Sequence, residues 1–234
     1  NGQAGVKSRR YIYITIHLLW VNSDTMRFEL LVRKLLMDKE RYLSEEKLGG
    51  HCEKLGIPYV NAIKYLGKYH YIERVVRGFF YVPTIEERKL KTGGPNFHEA
   101  IAKAMEYKKV KNWYWGLETA IKMNAITHEF FTIDYVVSDT IFRPKPIAIL
   151  GRSVKFVKLS KKLFGFGIKA GPAPYSDLEK TILDLIHLKK HAGRPNRVIR
   201  DHLIEWADEA DKNKMKKYAK HYGKPVREAL EELR

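Results

Sequence analysis

Residues 42–82 constrain the fold of this chain more than any other segment does. They contain a helical pattern, a glycine, a second helical pattern that follows a proline, and two short β-forming runs joined at another glycine. This order of helix, turn, helix and hairpin is typical of a winged helix-turn-helix, in which one helix can lie in a groove of DNA. The sequence therefore predicts a DNA-binding domain of this kind over residues 26–91.

Local signals fix where the two helices of this domain begin and end. Ser44 is expected to cap the first helix, because its hydroxyl can accept a hydrogen bond from a free backbone N–H of the first turn. Gly56 is expected to end that helix, since glycine tolerates left-handed backbone angles. Pro58 suits the start of the second helix, where its missing N–H costs nothing. The turn between the helices is therefore predicted to be short.

The second helix is predicted to have two chemically different sides. Val60, Ile63 and Leu66 are expected to face the core. The outer side carries an amide, ammonium groups and phenols, which are groups that contact phosphates and base edges. The candidate DNA-binding residues on this helix are Tyr59, Asn61, Lys64, Tyr65 and Lys68. The alternative interpretation is an ordinary amphipathic helix with a solvated outer face.

The hairpin that follows is the predicted wing. Its strands are expected from β-forming side chains on either side of Gly78, which marks the turn. Arg74 and Arg77 flank that turn, and arginines at a hairpin tip suit contact with phosphates or with the minor groove. The alternative is an edge hairpin with no binding role. The strand-forming residues are Ile72, Val75, Phe79 and Tyr81.

The charge of the chain indicates a polyanionic partner. There are 44 Lys and Arg residues against 27 Asp and Glu residues, which gives a formal net charge of +17. No acid occurs between Asp139 and Asp177. A long stretch of one sign raises the local concentration of a polyanion and speeds association. Four lysines of this stretch join the candidate DNA-binding residues: Lys155, Lys158, Lys161 and Lys162.

A second domain is predicted over residues 96–234, after a glycine-rich linker at 92–96. Its predicted elements mix helices with a small sheet, so the fold class of the whole chain is α+β. A further helix is expected to begin at Ser176, with Glu179 completing a capping box. The predicted helices before it cover 97–107 and 114–123, the strands cover 129–138, 146–150 and 153–158, a loop or irregular hairpin lies near 163–175, and helices cover the remainder.

Residues 1–25 are treated as an N-terminal extension. The apolar run at 11–21 is too short to span a bilayer, which needs about 20 residues, and it is expected to form a strand. No other segment is predicted to cross a membrane, so a cytoplasmic protein is expected.

The single cysteine, Cys52, excludes an internal disulfide and argues against a cysteine-based zinc site. No metal or cofactor is predicted, because His187 and His191 have helical spacing but no evident third ligand.

Enzymatic chemistry has one candidate centre, at Asp177, Glu179 and Lys180. Metal-dependent nucleases of the restriction type place a glutamate and a lysine on a strand with one residue between them. Glu179 and Lys180 are instead directly adjacent, at a predicted helix start. The chain is therefore expected not to be an enzyme. A nuclease that uses the winged helix for targeting is the alternative, and a protein-interaction module is a third possibility.

Three short strings resemble a known family, the AbiEi antitoxins of type IV toxin–antitoxin systems. They are Arg-Gly-Phe-Phe-Tyr-Val at 77–82, Trp-Gly-Leu-Glu-Thr-Ala at 115–120 and Asp-Leu-Glu-Lys-Thr-Ile-Leu-Asp at 177–184. The resemblance covers most of residues 26–234. Lys180 departs from it, since many relatives carry arginine there, and the N-terminal extension is unusual for the family.

The resemblance implies a function that charge and periodicity do not. It implies a regulator that binds inverted repeats of double-stranded DNA in its own promoter and represses a toxin–antitoxin operon. It also implies a C-terminal domain that counters a nucleotidyltransferase-like toxin without a stable complex between the two. An oligomer is compatible with this arrangement.

Overall fold

The computed structural model describes residues 25–90 and 94–233. The chain divides into two compact units, residues 1–100 and residues 101–234. The expected strand at 11–21 and the beginning of the predicted linker lie outside the described residues. No helix within the described part of the chain combines the length and the apolar character needed to cross a membrane. The fold class is α+β, as the sequence predicts.

The first unit is a winged helix-turn-helix. Its elements are α1 (25–37), β1 (Tyr42–Ser44), α2 (Glu45–Lys54), α3 (Tyr59–Lys68), β2 (Glu73–Val76), β3 (Phe79–Tyr81) and α4 (Ile85–Leu90). The three strands form an antiparallel sheet in the order β1-β3-β2. The core lies between this sheet and the first three helices. Its fully buried members are Leu31, Leu48, Ala62 and Leu66.

The local signals around the helix-turn-helix act as predicted. The Ser44 hydroxyl accepts from the backbone N–H of Lys47 at 3.2 Å and caps α2. Gly56 has a φ of +64°, the left-handed conformation that glycine adopts most readily. Pro58 is the residue before the first turn of α3 rather than its first helical residue. The turn between the two helices is therefore as short as predicted.

The second unit is built on a six-stranded sheet. Helix α5 (Phe97–Tyr107) enters this unit, and β4 (Trp113–Trp115), α6 (Leu117–Met123), β5 (Ile133–Ser138), β6 (Ile147–Ile149) and β7 (Arg152–Lys158) follow. A 3-10 helix (Lys161–Phe164) and the hairpin of β8 (Ile168–Lys169) and β9 (Tyr175–Ser176) complete the strands. The strand order is β6-β7-β5-β4-β9-β8. Two pairs are parallel, β5 with β7 and β4 with β9.

Helix α7 (Leu178–His191) is the centre of the second unit. It is followed by α8 (Asn196–Asp208), α9 (Lys212–Ala219) and α10 (Lys224–Glu231), and it packs against all three and against α6. Every residue from Leu178 to Ile186 is buried. These nine residues have no solvated side, so even the charged ones among them must find partners inside the protein.

Two sequence-based expectations about this unit are wrong. Tyr114 and Trp115 belong to the strand β4 instead of opening the predicted helix at 114–123, because their backbone pairs with β5, where Tyr114 lies opposite Val137. Helix α6 begins only after Gly116, where a Cβ atom would lie 2.6 Å from Val137. Helix α7 is capped by Asp177, whose carboxylate accepts from the backbone N–H of Lys180 at 2.9 Å, and not by Ser176.

Candidate nucleic-acid interface

Helix α3 is held in place by a stripe of apolar side chains that faces the core of the first unit. Ala62 and Leu66 are fully buried, and Tyr59 and Ile63 pack beside them. These positions follow the i, i+3, i+4, i+7 spacing of a single helical face. The prediction that Val60 faces the core is wrong, because it lies about 200° around the helix from Ala62 and is 61% exposed.

The outward face of α3 carries a compact polar set. Asn61, Lys64 and Lys68 are all exposed, and Val60 stands among them. Val60, Lys64 and Lys68 are spaced by four residues and therefore lie in one row along the helix. The outward face thus combines two ammonium groups, one amide and one apolar side chain.

Neither Lys64 nor Lys68 forms an ion pair among the described residues, and both residues are exposed, with the Lys68 ammonium 5.3 Å from the ring centroid of Tyr69. Lys47 of α2 provides the contrast within the same unit. Its ammonium lies 2.9 Å from Asp38 and 2.7 Å from Glu40, which neutralise it locally. No ion pair among the described residues therefore neutralises the two lysines on the outward face of α3.

The tyrosines of α3 have a different environment from its lysines. Tyr65 is half-buried in an aromatic cluster, with its ring 4.5 Å from Phe28, 4.9 Å from Tyr69 and 6.3 Å from Tyr71. Burial raises the pKa of the Tyr65 hydroxyl. Tyr59 also packs on the core of the unit. Both tyrosines brace the helix, and the structure does not group them with the exposed lysines.

The wing has the geometry that the sequence predicts around Gly78. Gly78 has a φ of +79°, and the strands β2 and β3 run antiparallel on either side of it. Arg74 and Arg77 are exposed. The backbone carbonyl of Gly78 accepts from the N–H of Glu45 at 2.7 Å, which ties the turn of the wing to the first residue of α2. The wing is therefore attached to α2, the helix that precedes α3 in the helix-turn-helix.

The four candidate lysines of the second unit do not form one surface. Lys155 and Lys158 both lie on β7, but they are an odd number of residues apart, so they point to opposite faces of the sheet. Lys161 and Lys162 are exposed on the 3-10 helix that follows Lys158. Lys158, Lys161 and Lys162 therefore share one end of the sheet, and Lys155 is separate from them.

The carboxylates of the nuclease candidate are occupied by hydrogen bonds. Asp177 accepts from the hydroxyl of Tyr218 at 3.2 Å and lies 3.0 Å from the ammonium of Lys214. Glu179 accepts from Lys214 at 2.8 Å and from the backbone N–H of Asp211 at 3.1 Å. The Asp177 carboxylate also accepts from the backbone N–H of Lys180. Through these contacts the two carboxylates connect α7 to α9. Their arrangement serves packing, and it favours a structural role over metal binding.

Among the described residues, the most deeply buried charges are those of Lys180 and Asp184 on α7. The ammonium of Lys180 is 3.2 Å from the carboxylate of Asp184, and both side chains are fully buried. The hydroxyls of Tyr114 and Tyr222 each donate to Asp184 at 2.7 Å. Burial and the charge of Asp184 raise the pKa of both tyrosines. The rings of Tyr114 and Phe166 face the Lys180 ammonium at 4.8 Å.

The sequence reveals only part of this cluster. The spacing of Lys180 and Asp184 by four residues indicates a helical ion pair, but helical pairs of this kind are ordinarily on the surface. Nothing local shows that Tyr114 and Tyr222 close around it. Tyr114 comes from β4 and Tyr222 from the turn between α9 and α10, and only the tertiary fold brings them together.

The paired histidines of α7 are in ring contact. The centroids of His187 and His191 are 4.5 Å apart, and burial lowers the pKa of His187. Within residues 25–90 and 94–233, no group of three or more His, Cys, Asp or Glu side chains is placed to hold a metal ion.

The fold and the exposed face of α3 together define the class of this molecule, a two-unit α+β protein that carries a winged helix-turn-helix. No family model matches the sequence, and no curated protein matches it. Among solved structures, the chain is similar to the crystal structure of the RV2827C protein from Mycobacterium tuberculosis. The TM-score is 0.58, over 89% of this chain and 76% of that chain. The sequence identity is 10%, so this likeness concerns the fold alone.

Proposed function

We propose that the protein is a DNA-binding transcriptional regulator of the antitoxin type, in which α3 enters the major groove of double-stranded DNA. One observation carries the proposal: Lys64 and Lys68 stand beside Asn61 on the exposed side of a helix whose other side is anchored in a core. An α-helix fits the width of the major groove, and the net charge of +17 favours a polyanion over a neutral partner.

Each side chain on the outward face of α3 has a distinct chemical role in the proposal. Lys64 and Lys68 neutralise phosphates or donate to guanine, whose O6 and N7 accept hydrogen bonds. Asn61 can pair with adenine through its amide, which donates and accepts at once. Val60 suits the methyl group of thymine. The arginines of the wing, Arg74 and Arg77, then contact the backbone or the minor groove.

The antitoxin part of the proposal rests on the resemblance to the AbiEi family. The resembling string at 177–184 coincides with the buried start of α7, where four charged residues are held by hydrogen bonds and ion pairs. A string in that position is under strong physical constraint, because few other residues fit the same partners. The proposed functional partner is a nucleotidyltransferase-like toxin that forms no stable complex with this chain, and the proposed target is an inverted repeat in the shared promoter.

The salt dependence of DNA binding tests the role of α3. Labelled DNA from upstream of the gene is titrated with the full-length protein over a series of salt concentrations. For Lys64→Ala we expect weaker binding and a log–log salt slope that is smaller by about 0.9, the value for one lost phosphate contact. We expect a similar change for Arg77→Ala.

Lys47→Ala is the matched control, since it removes the same charge from the same unit at a lysine already neutralised by Asp38 and Glu40. Its salt slope should equal that of the unaltered protein. Equal slopes for Lys64→Ala, Arg77→Ala and the control would remove α3 and the wing from the interface.

Growth measurements test the antitoxin part independently. The gene beside this one is expected to encode a nucleotidyltransferase, and its expression alone should slow growth. Co-expression of this chain should restore growth, and Lys64→Ala should still do so when both genes are driven by foreign promoters. A neighbouring gene of another kind, or growth unchanged by this chain, would argue against an antitoxin.

A further inference from the structure

A cavity of about 320 Å³ opens on the second unit, and none of the candidate DNA-binding residues lines it, although Lys155 lies opposite the lining residue Tyr135 on the neighbouring strand. Its walls come from α6, β5, the segment before β5, and α8. We call it the aromatic–acidic pocket. The residues that define it are Glu118, Glu129, Phe131, Tyr135, His202 and Trp206.

Ring contacts organise the aromatic wall of this pocket. Trp206 is only 8% exposed. Phe131 meets it edge-on at 6.5 Å and His202 meets it edge-on at 5.6 Å. Burial and the nearby Lys189 lower the pKa of His202 below its usual value of 6.5, so its ring is uncharged at neutral pH. The wall is therefore an uncharged set of ring faces and edges that exists before any ligand arrives.

Two carboxylates share the pocket with these rings. Oε2 of Glu118 is buried and has no hydrogen-bond partner among the described residues. Neither Glu118 nor Glu129 forms an ion pair within the described part of the chain. A buried acceptor without a donor is costly, whereas Glu129 is exposed and its charge is in contact with water. The pocket thus presents unsatisfied negative charge beside aromatic rings.

A cation with flat faces and several donors satisfies both features at once. A guanidinium group stacks on aromatic rings and donates to carboxylates in fixed directions. A nucleotide fits less well, since its phosphates meet the two carboxylates. At the rim of the pocket, the ring of Phe130 is already in a cation–π contact, with the Lys122 ammonium 5.8 Å from its centroid.

The exposed rim of the pocket indicates what kind of molecule carries the guanidinium group. Phe130 lines the mouth of the pocket and is 81% exposed. A small ligand contained by the cavity leaves that ring in water, whereas a polypeptide that inserts one side chain also covers the rim. We propose that the aromatic–acidic pocket binds an arginine side chain presented by a partner protein, with Glu118 and Glu129 receiving the guanidinium. This proposal does not depend on the function of the first unit.

Titration of the isotope-labelled full-length protein with N-acetyl-arginine amide tests the proposal. We expect the indole N–H resonance of Trp206 to shift with a millimolar dissociation constant. N-acetyl-citrulline amide has nearly the same shape without the charge, and it should leave that resonance in place. Glu118→Gln should weaken binding of the arginine derivative by about tenfold or more, as expected for a lost charge-assisted hydrogen bond.

Glu205→Gln is the control variant, because Glu205 is exposed on α8 beside Trp206 and does not line the pocket. Its affinity for the arginine derivative should be unchanged. Equal shifts with citrulline, no shift with arginine, or equal losses in the two variants would overturn the proposal. Shifts of the same resonance by adenosine monophosphate, stronger than those by arginine, would instead assign the pocket to a nucleotide.

Discussion

The buried ion pair of α7 gives the sharpest test of how the second unit is held together. Asp184→Asn keeps the shape of the side chain but removes the charge that faces the Lys180 ammonium. That ammonium has no access to water, so it remains buried without a counter-ion. Breaking one side of a fully buried pair costs about 3–5 kcal/mol. We therefore expect the equilibrium constant for unfolding to rise by more than about a hundredfold.

A second variant separates the charge from the packing. Lys180→Met with Asp184→Asn removes both charges, while the asparagine oxygen can still accept from Tyr114 or Tyr222. Replacing a buried pair by uncharged groups is often neutral. We expect the double variant to be more stable than Asp184→Asn alone, although it carries one substitution more.

Urea unfolding followed by tryptophan fluorescence measures these effects. All tryptophans of the described residues lie in the second unit, and Trp20→Phe in the background removes the remaining one. Glu228→Gln serves as control, because it disrupts a pair with the same spacing that is exposed, Lys224 with Glu228. The control should change stability by less than about 1 kcal/mol. The reasoning would be refuted if Asp184→Asn lowered the free energy of unfolding by no more than the control does. It would also be refuted if the double variant were less stable than Asp184→Asn.

Two further predictions concern the same end of α7. Gly167→Ala should destabilise the second unit by about 1–2 kcal/mol or more, because Gly167 has a φ of +64° and a Cβ atom there would lie 2.7 Å from Lys180. Gly165→Ala, where nothing lies within 4 Å, should cost less in the same urea titration. Burial alone would raise the pKa of Glu179. The hydrogen bonds from Lys214 and from a backbone N–H outweigh that effect, so the pKa lies below its usual value of 4.5. The stability gained is present above that pH and is lost as pH falls through the lower folded value, so Glu179→Gln should flatten the acid limb of a stability profile against pH.

The helix-turn-helix could be predicted because its signals are local. Ser44, Gly56 and Gly78 each determine a cap or a turn through their own chemistry, and the structure uses all three in this way. The error at Val60 has a simple cause. Apolar residues at 60, 63 and 66 fit one side of a helix roughly, but the stripe of Ala62 and Leu66 fits it better, and alanine gives a weaker hydrophobic signal than valine does.

The second unit was predicted less well because its elements depend on distant partners. Residues 113–115 are apolar enough for a helix or a strand, and pairing with β5 decides between them. Lys180 carries a charge that ordinarily indicates solvent, yet it is fully buried. The walls of the aromatic–acidic pocket come from three separate parts of the chain. No periodicity in the sequence brings Glu118 and Trp206 together.

The parallel pairing of β4 with β9 has a consequence for how the chain reaches its native state. Trp115 lies opposite Tyr175, so β4 cannot pair with β9 until the chain has been synthesised as far as residue 175. In the smaller sheet, the most distant partners are Tyr42 and Tyr81, which are closer in sequence. Folding slows as contacts join residues farther apart along the chain, and domains near the N-terminus fold first during synthesis. We therefore expect the winged helix to be folded on the ribosome before β4 pairs with β9.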